Sequence, residues 1–194
     1  MAVLLIVMLS GMFAVQAPQT TDVGALFDQG TTWDAFLEGA RSQRETWLAN
    51  AARASAPTAV VERFRKAAGD LQLPVVSEAN CSDSVQTVPY VAHVAAAAGI
   101  PLRIVRKAPA TSVLERHRTP DGRTATPTVI LIRRGRDAGA WIERPAALHT
   151  WFLANASLTS AERLARKTGW YEWDRGESAL AEILALVEKS SEER

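Results

Sequence analysis

LPVVSEANCSDSVQTVPYVAHVAAAAG, residues 73–99, contains the only cysteine of a 194-residue chain. The apolar start of this stretch reads as a short buried strand. Residues 82–98 read as a helix, which Gly99 closes. Cys81 therefore stands where a strand gives way to a helix. A thiol in that place faces the positive end of the helix dipole and free backbone N–H groups, which favour the thiolate. Thiolate is the form that attacks disulfides and peroxides. Asp83 acts against this, because a carboxylate two residues away disfavours a second negative charge. Asp83 also suits the first turn of the helix, where its simplest role is capping. Ser84 determines the reaction type. A hydroxyl cannot form the S–S bond by which a second thiol clears a mixed disulfide, so internal resolution is excluded. Three roles stay open for Cys81: exchange with a small thiol as resolving partner, capture of a client as a mixed disulfide, or a small apolar filler with no redox role.

Upstream, "TTWDAFLEGARSQRETWLANAARA" (31–54) puts Trp33, Phe36, Leu37, Ala40, Trp47, Leu48 and Ala51 near one face of a helix. Thr31 and Asp34 fit a loose capping box at its start. A second helix is expected from Pro57 through Val60, Val61, Phe64 and Ala67 to a stop at Gly69. Downstream come a strand at 100–105, a short helix at 110–117, a strand at 126–132, a turn "RRGRDAG" at 133–139 and a strand at 140–144. Pro145 then opens a helix through "AALHTWFLAN", and residues 158–194 read as one or two further helices. The order βαβα is a parallel crossover unit, and ββα is a hairpin with a covering helix.

This order, with Cys81 at its junction, resembles the thioredoxin superfamily. The family motif is Trp-Cys-x-x-Cys at a helix start; here Asn80 stands for the Trp, Cys81 matches the first Cys and Ser84 replaces the second. Pro89 lies eight residues after Cys81, at the spacing of the family's helix-kinking proline. Thr126-Pro127 lies where the family has a cis-proline packed against the cysteine. The wider pattern is similar to a bacterial thioredoxin-like subfamily that usually carries Trp-Cys-Gly-Asp and often lacks the second Cys. The resemblance spans about residues 31–187. It implies an α/β thioredoxin-like fold, with a central mixed β-sheet flanked by helices, an N-terminal helical pair and a C-terminal helical extension. It further implies thiol-disulfide exchange through a single cysteine, resolved by an external thiol. Cys81, Ser84 and Asp83 are then the catalytic positions, and Thr126 and Pro127 the substrate-binding ones. The alternative is a redox-inactive binding module for peptides or partner proteins.

Composition narrows the remaining classes. The chain is 47% hydrophobic and 22% charged with a net charge of +1, which gives no electrostatic case for nucleic acid. One cysteine allows no internal disulfide. His93, His117 and His149 have no ligand spacing, so neither a metal nor a cofactor is expected, and the partners are protein or small-molecule thiols and disulfides. The "RRGR" run at 133–136 reads as a solvated hairpin tip, and the "GWYEWD" run at 169–174 as tail packing. Residues 1–17 carry no charged side chain and form an apolar run shorter than the ~20 residues of a spanning helix. They read as a signal peptide cut after Ala17, followed by a flexible lead-in at 18–30 and a single domain at 31–190. The mature domain is expected to be exported, monomeric and not embedded in a membrane; an uncleaved anchor and a mis-assigned start are the alternatives.

Overall fold

A computed structural model describes residues 23–192. The expected signal at 1–17 lies outside the described residues. Four helices lead in: α1 (Val23–Asp28), α2 (Trp33–Gly39), α3 (Arg44–Arg53) and α4 (Thr58–Ala68). The central unit follows as β1 (Leu73–Val76), α5 (Ser84–Ala98), β2 (Leu102–Val105), α6 (Thr111–Arg116), β3 (Thr128–Arg133) and β4 (Arg136–Ile142). Helices α7 (Ala146–Ala154), α8 (Ser160–Asp174) and α9 (Glu177–Glu192) close the chain. No helix among the described residues is long and apolar enough to cross a membrane.

The sheet order is β2-β1-β3-β4. β1 and β2 are parallel across the α5 crossover, while β3 runs antiparallel to both β1 and β4. This is the expected mixed sheet. The side-chain period of two sends alternate residues to opposite faces. Leu73, Val75, Val129 and Leu131 join the larger core with Trp47, Phe64, Val88 and Ile183. Val76, Ile130 and Ile132 join a smaller core with Leu26, Val113 and Leu114.

Several local expectations are corrected. Part of the stretch read as a flexible lead-in is helix α1, whose Val23, Leu26 and Phe27 are buried. A six-residue helix is unstable alone; burying Leu26 and Phe27 stabilises it by about 2 kcal/mol each. The single helix expected over 31–54 is two. Thr32, not Thr31, caps α2, accepting from Ala35 N at 3.2 Å. Gln43 adopts φ 53, and the Arg44 guanidinium donates to the carbonyls of Leu37, Glu38 and Ala40, closing the end of α2. The β3–β4 turn is also tighter than expected, because Arg134 and Gly135 both take positive φ and form a two-residue hairpin turn. Arg133 is not a solvated tip residue. Its guanidinium donates to Ala67 O, Ala68 O, Val187 O and Ser190 Oγ at 2.6–3.0 Å, satisfying carbonyls at the C-terminal end of α4 and tying it to α9.

Candidate functional site

Cys81 is half-buried and lies in the turn just before α5. Its Sγ donates to Thr126 O at 3.0 Å, and Ser84 N donates to Sγ at 3.4 Å. The Thr126–Pro127 peptide bond is cis. The sulfur thus sits between the first turn of α5 and the loop that enters β3. The loop ahead of it is held from the N-terminal helices. Trp47, fully buried in α3, donates its indole N–H to Ala79 O at 3.0 Å, and Gln43 Nε2 reaches the same carbonyl at 3.4 Å. Trp33, Phe36 and Trp47 form one aromatic cluster, with ring centroids 5.2–6.0 Å apart, that fixes the indole.

Pro89 lies inside α5 and has no N–H for the carbonyl one turn back, that of Val85. Asn50, 2% exposed in α3, fills the gap: its Nδ2 donates to Val85 O at 2.7 Å and to Gln86 Oε1 at 3.1 Å. A side chain from the helical pair therefore completes the helix that carries the thiol.

Asp83 does not cap α5 with its side chain. The carboxylate is buried and turned toward the C-terminal elements, because partners there compensate its charge. Lys167 Nζ donates to Oδ2 at 3.0 Å, Tyr171 OH donates to Oδ1 at 2.8 Å, and Arg144 lies 3.3 Å from Oδ2. Burial first, and then the charge of Asp83, push the Tyr171 hydroxyl well above its usual range, so it remains a donor. Lys167 also donates to Ser82 Oγ at 2.7 Å. Arg144 continues the chain to Glu143 at 2.6 Å and stacks over the Phe152 ring at 4.2 Å. Glu143 has φ 65, and its N–H donates to Pro127 O at 2.7 Å, so the cis-proline loop and the ion network share one residue. Ser84 is fully buried, and its hydroxyl has no hydrogen-bond partner among the described residues.

A thioredoxin family model matches residues 30–162. The chain belongs to the thioredoxin family. Among solved structures, this thioredoxin-family chain is similar to a Pseudomonas aeruginosa protein of unknown function, at TM-score 0.67 and 21% identity over 86% of this chain and 97% of that one. An HIV epitope-scaffold is similar at TM-score 0.66 and 21% identity, with the same coverage. These likenesses are of fold. No curated protein matches by sequence.

Of the positions singled out in the sequence, Cys81, Ser84, Thr126 and Pro127 come together. Asp83 is adjacent but faces away, into the ion network. His93 is exposed on α5 and His117 pairs with Asp137 at 2.8 Å, so neither joins the site. His149 packs beside Glu143, and burial holds its pKa below the ordinary histidine value. The "GWYEWD" run divides: Tyr171 packs against the site, while Trp173 is 76% exposed. Sequence reasoning missed Asn50, Glu143, Arg144 and Lys167. Asn50 alone had a local signal: a polar residue on the apolar face of the first helical segment, opposite a proline-bearing helix.

Proposed function

We propose that this thioredoxin-family protein carries out thiol-disulfide exchange through Cys81 alone, with an external thiol resolving the intermediate. The observation that carries the reading is the placement of Sγ, 3.0 Å from Thr126 O beside the cis Pro127 and 3.4 Å from the Ser84 N–H. Cys81 is only half-buried, which suits attack on a disulfide from solvent. Thr126 and Pro127 offer the backbone edge along which an extended partner would lie. Ser84, buried and without a thiol, cannot resolve, so turnover depends on a second molecule.

In the proposed cycle the Cys81 thiol loses its proton to solvent and attacks one sulfur of a disulfide. A Cys81 mixed disulfide forms as the other sulfur leaves as a thiolate. An external thiolate then attacks the mixed disulfide, forms a new disulfide and returns the Cys81 thiolate. Atoms and electrons balance without a cofactor. The test is turnover: a fluorogenic small disulfide should be reduced faster by a small thiol when the protein is present, and Cys81→Ser should remove the acceleration. Acceleration that survives in Cys81→Ser would refute the reading.

The second reading is a redox-inactive thioredoxin-fold module that binds peptides or partner proteins. The observation that favours it is the enclosure of the α5 start. Asp83 is saturated by Lys167, Tyr171 and Arg144, and Asn80 presents a small polar surface where the family has Trp. Peptide capture unaffected by Cys81→Ser, with no turnover, would favour this reading.

A further inference from the structure

An open cleft of about 520 Å³ lies between the end of β4, α7 and the N-terminal half of α8. That volume is in the range of small-molecule sites. Its walls carry the side chains of Arg123, Arg144, Arg163 and Lys167. Three of these cations are matched by acids. Arg123 pairs with Asp121 at 2.6 Å and Glu143 at 3.1 Å, Arg144 pairs with Glu143 at 2.6 Å and Asp83 at 3.3 Å, and Lys167 pairs with Asp83 at 3.0 Å. Arg163 has no acidic partner among the described residues, and its Nε is buried without a hydrogen bond.

Two further groups in the lining are unsatisfied although more than nine-tenths buried. Arg144 is 8% exposed and His149 6% exposed, and among the described residues neither Arg144 Nε nor His149 Nε2 has a hydrogen-bond partner. His149 Nε2 lies 3.3 Å from Glu143 Oε2 but is not aligned for a hydrogen bond. Buried polar groups are rarely left unpaired, and a cluster of orphaned nitrogens beside one unmatched cation marks where an acceptor with negative charge fits. Ser160, at the start of the 15-residue helix α8, lines the same cleft and adds the positive end of that helix.

One wall of the cleft adjoins the thiol turn through Lys167. Lys167 in its wall holds Ser82 Oγ at 2.7 Å, and Ser82 follows Cys81 directly. We propose that the cleft seats the carboxylate end of a small anionic thiol or disulfide, held by Arg163, Arg144 Nε and His149, while its sulfur reaches Cys81. This rests on the exchange reading and names the class of the resolving partner. A disulfide so held gives one sulfur to Cys81 and releases the other as a thiolate; an anionic thiol in the same seat then displaces the bound half and restores Cys81.

The test uses the full chain and two probes. 3,3′-Dithiodipropionate carries two carboxylates and 2-hydroxyethyl disulfide carries none. Modification of Cys81 by each is timed by mass spectrometry at low salt and divided by its rate with a free small thiol. The normalised ratio should favour the dianion about tenfold, the size of one good charge-assisted contact. Arg163→Glu should bring that ratio to about one, whereas Arg163→Lys should retain most of it. A ratio near one in the wild-type chain, or one unchanged by Arg163→Glu, overturns the cleft proposal while leaving exchange standing. Titration with the redox-inert thioether 3,3′-thiodipropionate, followed by NMR shifts, separates the two failures. Shifts at the cleft without any Cys81 adduct keep the anion seat and end the exchange reading. Neither shifts nor adducts overturn both.

Discussion

Asn50 Nδ2 stands 2.7 Å from Val85 O, in the place of the backbone donor that Pro89 lacks. Removing it leaves a buried carbonyl unsatisfied, which costs about 1–3 kcal/mol. Asn50→Leu should therefore lower the unfolding free energy by that amount, seen as a lower urea midpoint with no change in the slope of the transition. Pro89→Ala restores an N–H to the helix, so the cost of Asn50→Leu should shrink in that background. Equal costs in both backgrounds would separate Asn50 from the proline.

Lys167 reaches Asp83 across 84 residues of sequence and ties α8 to the start of α5. Lys167→Met leaves Asp83 buried with Arg144 and Tyr171 alone. Breaking a buried pair from one side costs about 3–5 kcal/mol, and the remaining partners place this case at the lower end. Adding Asp83→Asn should recover much of the loss in chemical denaturation. A double variant no more stable than Lys167→Met would contradict the pairing.

Burial holds His149 below its ordinary value, opposed by Glu143 and reinforced by Arg144 and Arg123. The unfolded chain therefore takes up this proton at higher pH than the folded one. The stability tied to neutral His149 is present above the unfolded value of about 6.5 and falls as pH drops through the folded value. Melting temperature should decline from pH 7 toward pH 5, and His149→Gln should flatten part of that decline. An identical slope in the variant would remove His149 from the account.

Ser84 is buried and its hydroxyl is unpartnered among the described residues, so a less polar side chain suits its pocket. Ser84→Ala should be neutral or stabilising by up to about 1 kcal/mol, because no hydrogen bond is lost. Ser84→Cys places a thiol where the resemblance to Trp-Cys-x-x-Cys puts a resolving sulfur. Insulin reduction, expected to be weak in the wild-type chain, should rise in Ser84→Cys. A variant that folds and stays inert would favour the binding-module reading.

The legible part of this molecule is what neighbours in sequence decide. Alternating apolar runs, Pro57, Gly69 and Gly99 marked most elements, and the thioredoxin-like mixed sheet followed from their order. Cys81 at its junction was visible for the same reason. The break at Gln43 was not, because the apolar face continues through it and the cause is Arg44 folding back on three carbonyls. Residues 18–30 read as polar on average, yet Val23, Leu26 and Phe27 have the spacing of one buried helix face. Asp83 suited a helix cap by local pattern; Lys167 and Tyr171, more than 80 residues away, draw its side chain elsewhere. Partners at that separation leave no periodic trace.

The exchange reading stands or falls on the sulfur of Cys81. Intact-mass spectrometry of the full chain, incubated with a small disulfide and quenched with acid, measures it directly. The account predicts one adduct in the folded protein, formed faster than with a free cysteine of a denatured control, absent in Cys81→Ser and reversed by a small thiol. A folded chain that forms no adduct, or forms it more slowly than the denatured control, contradicts it.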